Sequence, residues 1–165
     1  MPKKTMGSAA QGQFESMLGP FAMRQQAALK RVEEAEAVSK GLVQYLREST
    51  DEVRAQVAWV VTQKSIKEAL AYDIRIMPRD LLNDHMRRIE EAARLVIDEI
   101  WGEKMSQAQW ERLKLPGPLG GCGMRMPDMA AEAALIATHA AIKERVKSFA
   151  EVQGWKIGEI AGTRG

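Results

Sequence analysis

Residues 79–102 read RDLLNDHMRRIEEAARLVIDEIWG. Within them Leu82, Met86, Ile89, Ala93, Val96 and Ile100 recur at spacings of three and four, the period of a helix with one buried stripe. Met77-Pro78 stops whatever precedes, because the residue before a proline is pushed out of the helical region. Gly102 stands where a left-handed C-terminal cap is wanted. A helix from Arg79 or Asp80 is therefore predicted. On its other face Arg87 with Glu91, Glu90 with Arg94, and Arg94 with Asp98 are spaced as solvent-side ion pairs.

Working upstream, Val53, Val57, Val60, Val61 and Leu70 mark the buried side of a preceding helix. The run Val57 to Val61, VAWVV, is the one place where a strand competes. The Ala, Gln, Lys and Glu around it favour helix. Ser49-Thr50-Asp51-Glu52 has the form of a capping box at its start. Further back Ala28, Val32, Ala35, Val38, Leu42 and Leu46 trace another amphipathic helix, weakened locally by Gly41 and begun after the breaker pair Gly19-Pro20. Residues 1–13 are small, polar and aperiodic, and read as a flexible leader.

Downstream, Ser106 to Gln109 repeats the capping-box spacing and opens a short helix through about Leu113. The pattern then changes. Lys114 to Pro127 reads KLPGPLGGCGMRMP, with three prolines and four glycines in fourteen residues, a composition that forbids a helix and asks for a specifically shaped loop. Leu115, Pro116, Gly120, Gly121 and Gly123 are its structural residues. Asp128 can then cap a last long helix with Leu135, His139, Ile142, Val146 and Phe149 on its apolar stripe and Gly154 as its stop. The fold class is thus all-α, a bundle of four to five helices over residues 14–153 with a Gly/Pro-rich loop before the last long helix and a frayed tail at 154–165.

Composition bounds the function. At 165 residues, with 45% apolar and 28% charged residues, the chain can bury one core. The formal charge is only +2. Five bases against one acid lie between Met1 and Arg31, while nine bases and eight acids balance between Arg75 and Arg125. Charge alone does not announce a nucleic-acid binder. The single cysteine, Cys122, excludes an intrachain disulfide and fits an intracellular, cytoplasmic or nuclear, location rather than secretion. No apolar run reaches the ~20 residues of a membrane span.

No catalytic residue, metal site or cofactor is expected. The loop glycines fit neither GxxxxGK[ST] nor GxGxxG, and a helix precedes them where those motifs need a strand. His85 and His139, the only two histidines, lie in different helices with no ligand spacing beside them. Cys122 has no histidine near in sequence and reads as a small packed residue. Glu33-Glu34 and Glu90-Glu91 point in different directions around their helices. Trp59, Trp101, Trp110 and Trp155, with ten methionines, read first as core filler.

Leu115 to Arg125, LPGPLGGCGMR, followed by the alanine-rich MAAEAALIATHAA, resembles the region found after the polymerase palm in reverse transcriptases of non-LTR retroelements. Those proteins show leucine-proline, a spacer, Gly-Gly-X-Gly, a basic residue and an alanine-rich helix. Ala71 to Pro78, AYDIRIMP, is similar to the family's tyrosine, arginine and proline segment. Gln109-Trp110, Met17-Leu18-Gly19 and Gln56 to Ala58 fall in the matching order, so the likeness runs over about residues 16–141. Asp73 departs from it by placing a charge where the family has an apolar residue, and Gly117-Pro118 stiffens the spacer.

The palm itself is missing. No Tyr/Phe-X-Asp-Asp occurs in these residues, and the two-metal chemistry of an RNA-directed DNA polymerase needs that cluster. The resemblance implies a non-catalytic, thumb-like helical fragment or relic, not an enzyme, that holds RNA or an RNA–DNA duplex weakly by its backbone and meets a palm domain or another helical partner. Arg75, Arg79, Arg112, Lys114 and Arg125 flank the resembling segments and are its candidate backbone contacts. The alternative is a helical protein-interaction or oligomerisation module with no nucleic-acid role, its Met and Trp surface meeting the partner.

Overall fold

The computed structural model describes the backbone of residues 8–152 and the side-chain surroundings of residues 22–148. Among the described residues every regular element is helical: α1 Ser8–Glu48, α2 Arg54–Val61, α3 Arg79–Trp101, α4 Gln107–Lys114 and α5 Pro127–Val152. The VAWVV run is part of α2, as its helix-forming neighbours require.

Helices α1 and α3 form the main pair, and the bonds between them fix its sense. Gln25 donates to the Leu81 carbonyl, Ser39 to that of Ala92, Arg88 to Glu36, and Arg47 to Glu99, with sequence offsets of 56, 53, 52 and 52. A nearly constant offset means that the two helices run parallel. The segment between them must therefore return the whole length of the pair, and α2 with the turns after it does so. Buried Ala28, Val32, Ala35, Val43 and Leu46 of α1 meet Leu82, Met86, Ile89, Ala93, Val96 and Ile97 of α3.

The returning strip packs through one stripe. Ala58, Thr62, Ile66 and Leu70 are fully buried at a spacing of four, whereas Val53, Val57 and Val60, expected on the buried side, face solvent. The valines lie roughly 100° or more around the helix from Ala58, and so outside the face that meets the core. Thr62 donates its hydroxyl back to the Ala58 carbonyl at 2.8 Å, and Lys67 N–H reaches the Thr62 carbonyl at 3.0 Å. The result is a π-helical turn at Thr62–Ile66, the local distortion that back-bonded threonines favour.

Other starts and stops divide. The Ser106 hydroxyl accepts from Gln109 N–H while Gln109 Oε1 accepts from Ser106 N–H, completing that capping box. The box at Ser49 does not form. Ser49 Oγ accepts from Asp51 N–H and Asp51 Oδ1 from Val53 N–H, so two successive side-chain turns carry the chain onward and α2 begins only at Arg54. Helix α1 begins at Ser8 and continues through Gly19-Pro20, so it takes in part of the expected leader and the expected start after Gly19-Pro20 is not where the helix begins. The expected tail at 154–165 lies outside the described residues.

Pro78 and Gly102 bound α3 as expected, Gly102 at φ 76°. Helix α5 opens with Pro127 at its first position, which puts Asp128 inside the first turn rather than at the cap. Among the described residues only the first turns of α5 pack on the core, through Ala130, Ala131 and Ala134, with Met126 buried just before them. Leu135 is half-buried, and His139, Ile142 and Val146 are exposed; Phe149 lies outside the described side chains. The stripe expected to be buried thus runs past the end of the helices it would need to cover it.

Candidate nucleic-acid interface

The glycine loop owes its shape to the end of α4. Helix C-termini leave carbonyls without partners, and here the chain turns back to supply them: Cys122 N–H reaches the Leu113 carbonyl at 3.1 Å and Gly123 N–H reaches that of Leu115 at 2.8 Å. Gly120 and Gly123 adopt φ of 77° and 69°, where a side chain is strained. Gly121 is needed for a different reason: a Cβ there would lie 2.0 Å from the Leu115 oxygen and 2.6 Å from that of Arg112. Between Leu119 and Arg125 each N–H is turned on a backbone carbonyl, so the glycines shape the chain and hold no set of donors for a phosphate. Met124 and Met126 enter the core and Arg125 between them points outward.

The second resembling segment is fastened from α1. Arg31 makes a two-pronged pair with buried Asp73, Nη2 to Oδ1 at 2.6 Å and Nε to Oδ2 at 3.1 Å. The unusual aspartate is thus matched by a partner 42 residues away. Asp73 opens the 3-10 turn Asp73–Arg75, Ile74 is buried beneath it, and Arg75 is exposed at its end.

These two pieces meet. Lys67, Glu68, Ala71, Ile74 and Arg75 form one wall of a cleft of about 250 Å³ whose other wall is Arg125, Met126, Pro127, Ala130 and Ala134. Lys67 pairs with Glu68 at 3.2 Å. Neither Arg75 nor Arg125 has a carboxylate within ion-pair distance among the described residues.

The remaining candidates part from it. Arg79 pairs with Glu132 of α5 at 3.3 Å, both side chains being largely in water. Arg112 donates to the Gly120 carbonyl at 3.4 Å and lines another hollow with Trp101, Met105 and Cys122. Lys114 is a correction: it is 6% exposed, with Nζ 2.9 Å from Glu111 and 3.3 Å from Glu90. Burial pulls its pKa down, but the hydrogen bonds and charges of Glu111 and Glu90 outweigh that and hold the ammonium above its usual value. Such a cation is a structural partner and is not offered to a polyanion. Lys67, which belongs to the cleft, carried no motif in the sequence; its position depends on the π-turn.

The lysine belongs to a polar layer between α3 and α4. Trp110, fully buried, donates its indole N–H to Glu90. Arg94 lies over the Trp110 ring at 5.7 Å and donates to the Met105 carbonyl, and Asp98 accepts from Met105 N–H. Of the three predicted solvent-side pairs only Arg87 with Glu91 forms; Glu90, Arg94 and Asp98 turn instead toward the α3–α4 connection. Cys122 is exposed rather than packed, and His139 is exposed. His85 is half-buried, with Nδ1 lacking a hydrogen-bond partner among the described residues. Trp101 is half exposed, so the tryptophans are not uniformly core.

Among the described residues no three His, Cys, Asp or Glu side chains gather as a metal site. No described helix is long and apolar enough to cross a membrane. No family model, no curated protein and no solved structure matches the chain.

Proposed function

We propose that the chain is a non-catalytic fragment or relic of the thumb-like helical region of a retroelement reverse transcriptase, and that it holds the nucleic-acid backbone through Arg75 and Arg125. The supporting observation is the meeting of Arg75 and Arg125 on opposite walls of one cleft. They come from the two segments that carry the resemblance, and neither is neutralised by an ion pair there. Guanidinium groups of this kind suit phosphate oxygens geometrically as well as electrostatically. Contacts to phosphate fix position and carry no sequence information, which fits a role in gripping a duplex for a polymerase palm elsewhere. The chain works inside the cell, where such a duplex is found.

Titration of labelled RNA–DNA duplex tests this. Two phosphate contacts predict a logarithmic salt slope near −1.8, so affinity falls roughly 12-fold between 50 and 200 mM salt. Absence of binding at the lower salt contradicts the proposal. A helical interaction module is favoured by a separate observation, the apolar side chains left exposed along α2 and α5.

A further inference from the structure

Helix α5 packs on the core through Ala130, Ala131 and Ala134. At 100° per residue these positions, with half-buried Thr138, occupy one side of the helix. Directly opposite, spaced by three and four, lie Met129, Ala133, Ile136, Ala140, Lys143 and Lys147, all exposed. Met129 is 52% exposed and Ile136 68%. The stripe spans about 27 Å, and its two large apolar residues have no cover among the described residues.

We propose that a second copy of this chain covers this stripe, with the two α5 helices antiparallel and residue 138 at the midpoint. The stripe is its own complement about that point. Ile136 falls opposite Ala140 of the partner subunit, and Met129 and Ala133 fall opposite the aliphatic stems of the partner's Lys147 and the partner's Lys143. Large side chains then meet small ones, and the alanines allow the axes to approach closely.

Charge selects the same register. Asp128 and Glu132 lie along one edge of the stripe near its start, and Lys143 and Lys147 lie at its end with the same spacing of four. In the antiparallel arrangement Glu132 meets the partner's Lys143 and Asp128 meets the partner's Lys147, each pair occurring twice by symmetry. A parallel pair would instead set acid beside acid and base beside base. Glu132 is held meanwhile only by its exposed pair with Arg79, which is weak enough to exchange. Glu144 lies on the far flank against alanines, and Arg145 faces the body side of the helix.

Sedimentation equilibrium of the full chain tests the arrangement. The wild type is expected to rise with concentration from the 18.4 kDa monomer mass toward twice that value. Ile136→Glu abolishes the rise, whereas Ile142→Glu, on a different side of α5, leaves it unchanged. Lys143→Glu weakens association roughly tenfold, and the charge exchange Glu132→Lys with Lys143→Glu restores it. Circular dichroism establishes that each variant keeps its helix. A wild type that stays monomeric overturns the proposal, as does a dimer that survives Ile136→Glu or an exchange that fails to restore affinity.

Discussion

At the scale of single residues, Gly121 is the most constrained position in the loop. Its neighbours are backbone oxygens, at 2.0 and 2.6 Å from where a Cβ would stand, and backbone cannot swing aside as a flexible side chain can. Gly121→Ala is expected to destabilise the protein by about 3 kcal/mol, the upper end of overpacking effects. Gly41, in the middle of α1 with nothing within 4 Å of its Cβ position, behaves oppositely: Gly41→Ala should stabilise by up to ~1 kcal/mol. Thermal unfolding of both variants checks the contrast, and a harmless Gly121→Ala would contradict the loop geometry. The need for glycine in this loop was legible in its composition. Which glycine touches backbone was not, because that depends on where Leu115 and Arg112 end α4.

Glu36 gives a pH-dependent case. The Arg88 hydrogen bonds, at 2.7 and 2.8 Å, hold its carboxyl below the ordinary glutamate range, against the opposing effect of burial. A carboxylate depressed in the folded state stabilises above its unfolded pKa, and that contribution is lost as pH falls through the folded value. Glu36→Gln is therefore expected to lower stability by about 1 kcal/mol near neutrality. The gap to wild type should begin to narrow as pH falls below the ordinary glutamate value of about 4.3 and close as pH passes through the lower folded value. Urea melts at several pH values measure it; a gap that widened on acidification would contradict the pairing. Lys114 illustrates what a sequence conceals at this scale, since its burial depends on Glu90 a helix away.

Among elements, α2 shows how periodicity can mark a helix and misplace its face. The valines and the alanine-threonine-isoleucine-leucine series both recur at helical spacing, and hydrophobicity alone favours the valines. The face that packs is the other one: Ala58 is fully buried while Val57 is 40% exposed. Ala58→Leu is expected to destabilise by about 1–3 kcal/mol, and Val57→Thr by no more than ~0.5 kcal/mol. Equal effects in thermal unfolding would contradict the assigned face. Helix α3 was readable from end to end because its stripe, its proline and its capping glycine all agree. The two capping-box sequences were indistinguishable on spacing, yet only Ser106 forms one; at Ser49 the hydroxyl accepts from the Asp51 N–H in place of the Glu52 N–H that a box requires. On α5 the apolar stripe was read as buried, but a one-dimensional pattern says nothing of where neighbouring helices stop.

For the whole molecule, the parallel pairing of α1 and α3 governs where the candidate interface falls. It forces residues 49–78 to run back along the pair, fastened by Arg31 to Asp73, and so brings Arg75 to the start of α5 beside Arg125. The sequence named both arginines from a resemblance; it could not place Lys67 with them or remove Lys114, because both outcomes follow from the return path. The central claim is that Arg75 and Arg125 act together on phosphate. The salt dependence of duplex affinity, compared between wild type and Arg75→Gln/Arg125→Gln, tests it most directly. The account predicts a slope falling from near −1.8 toward zero with the fold unchanged by circular dichroism; an unchanged slope would contradict it.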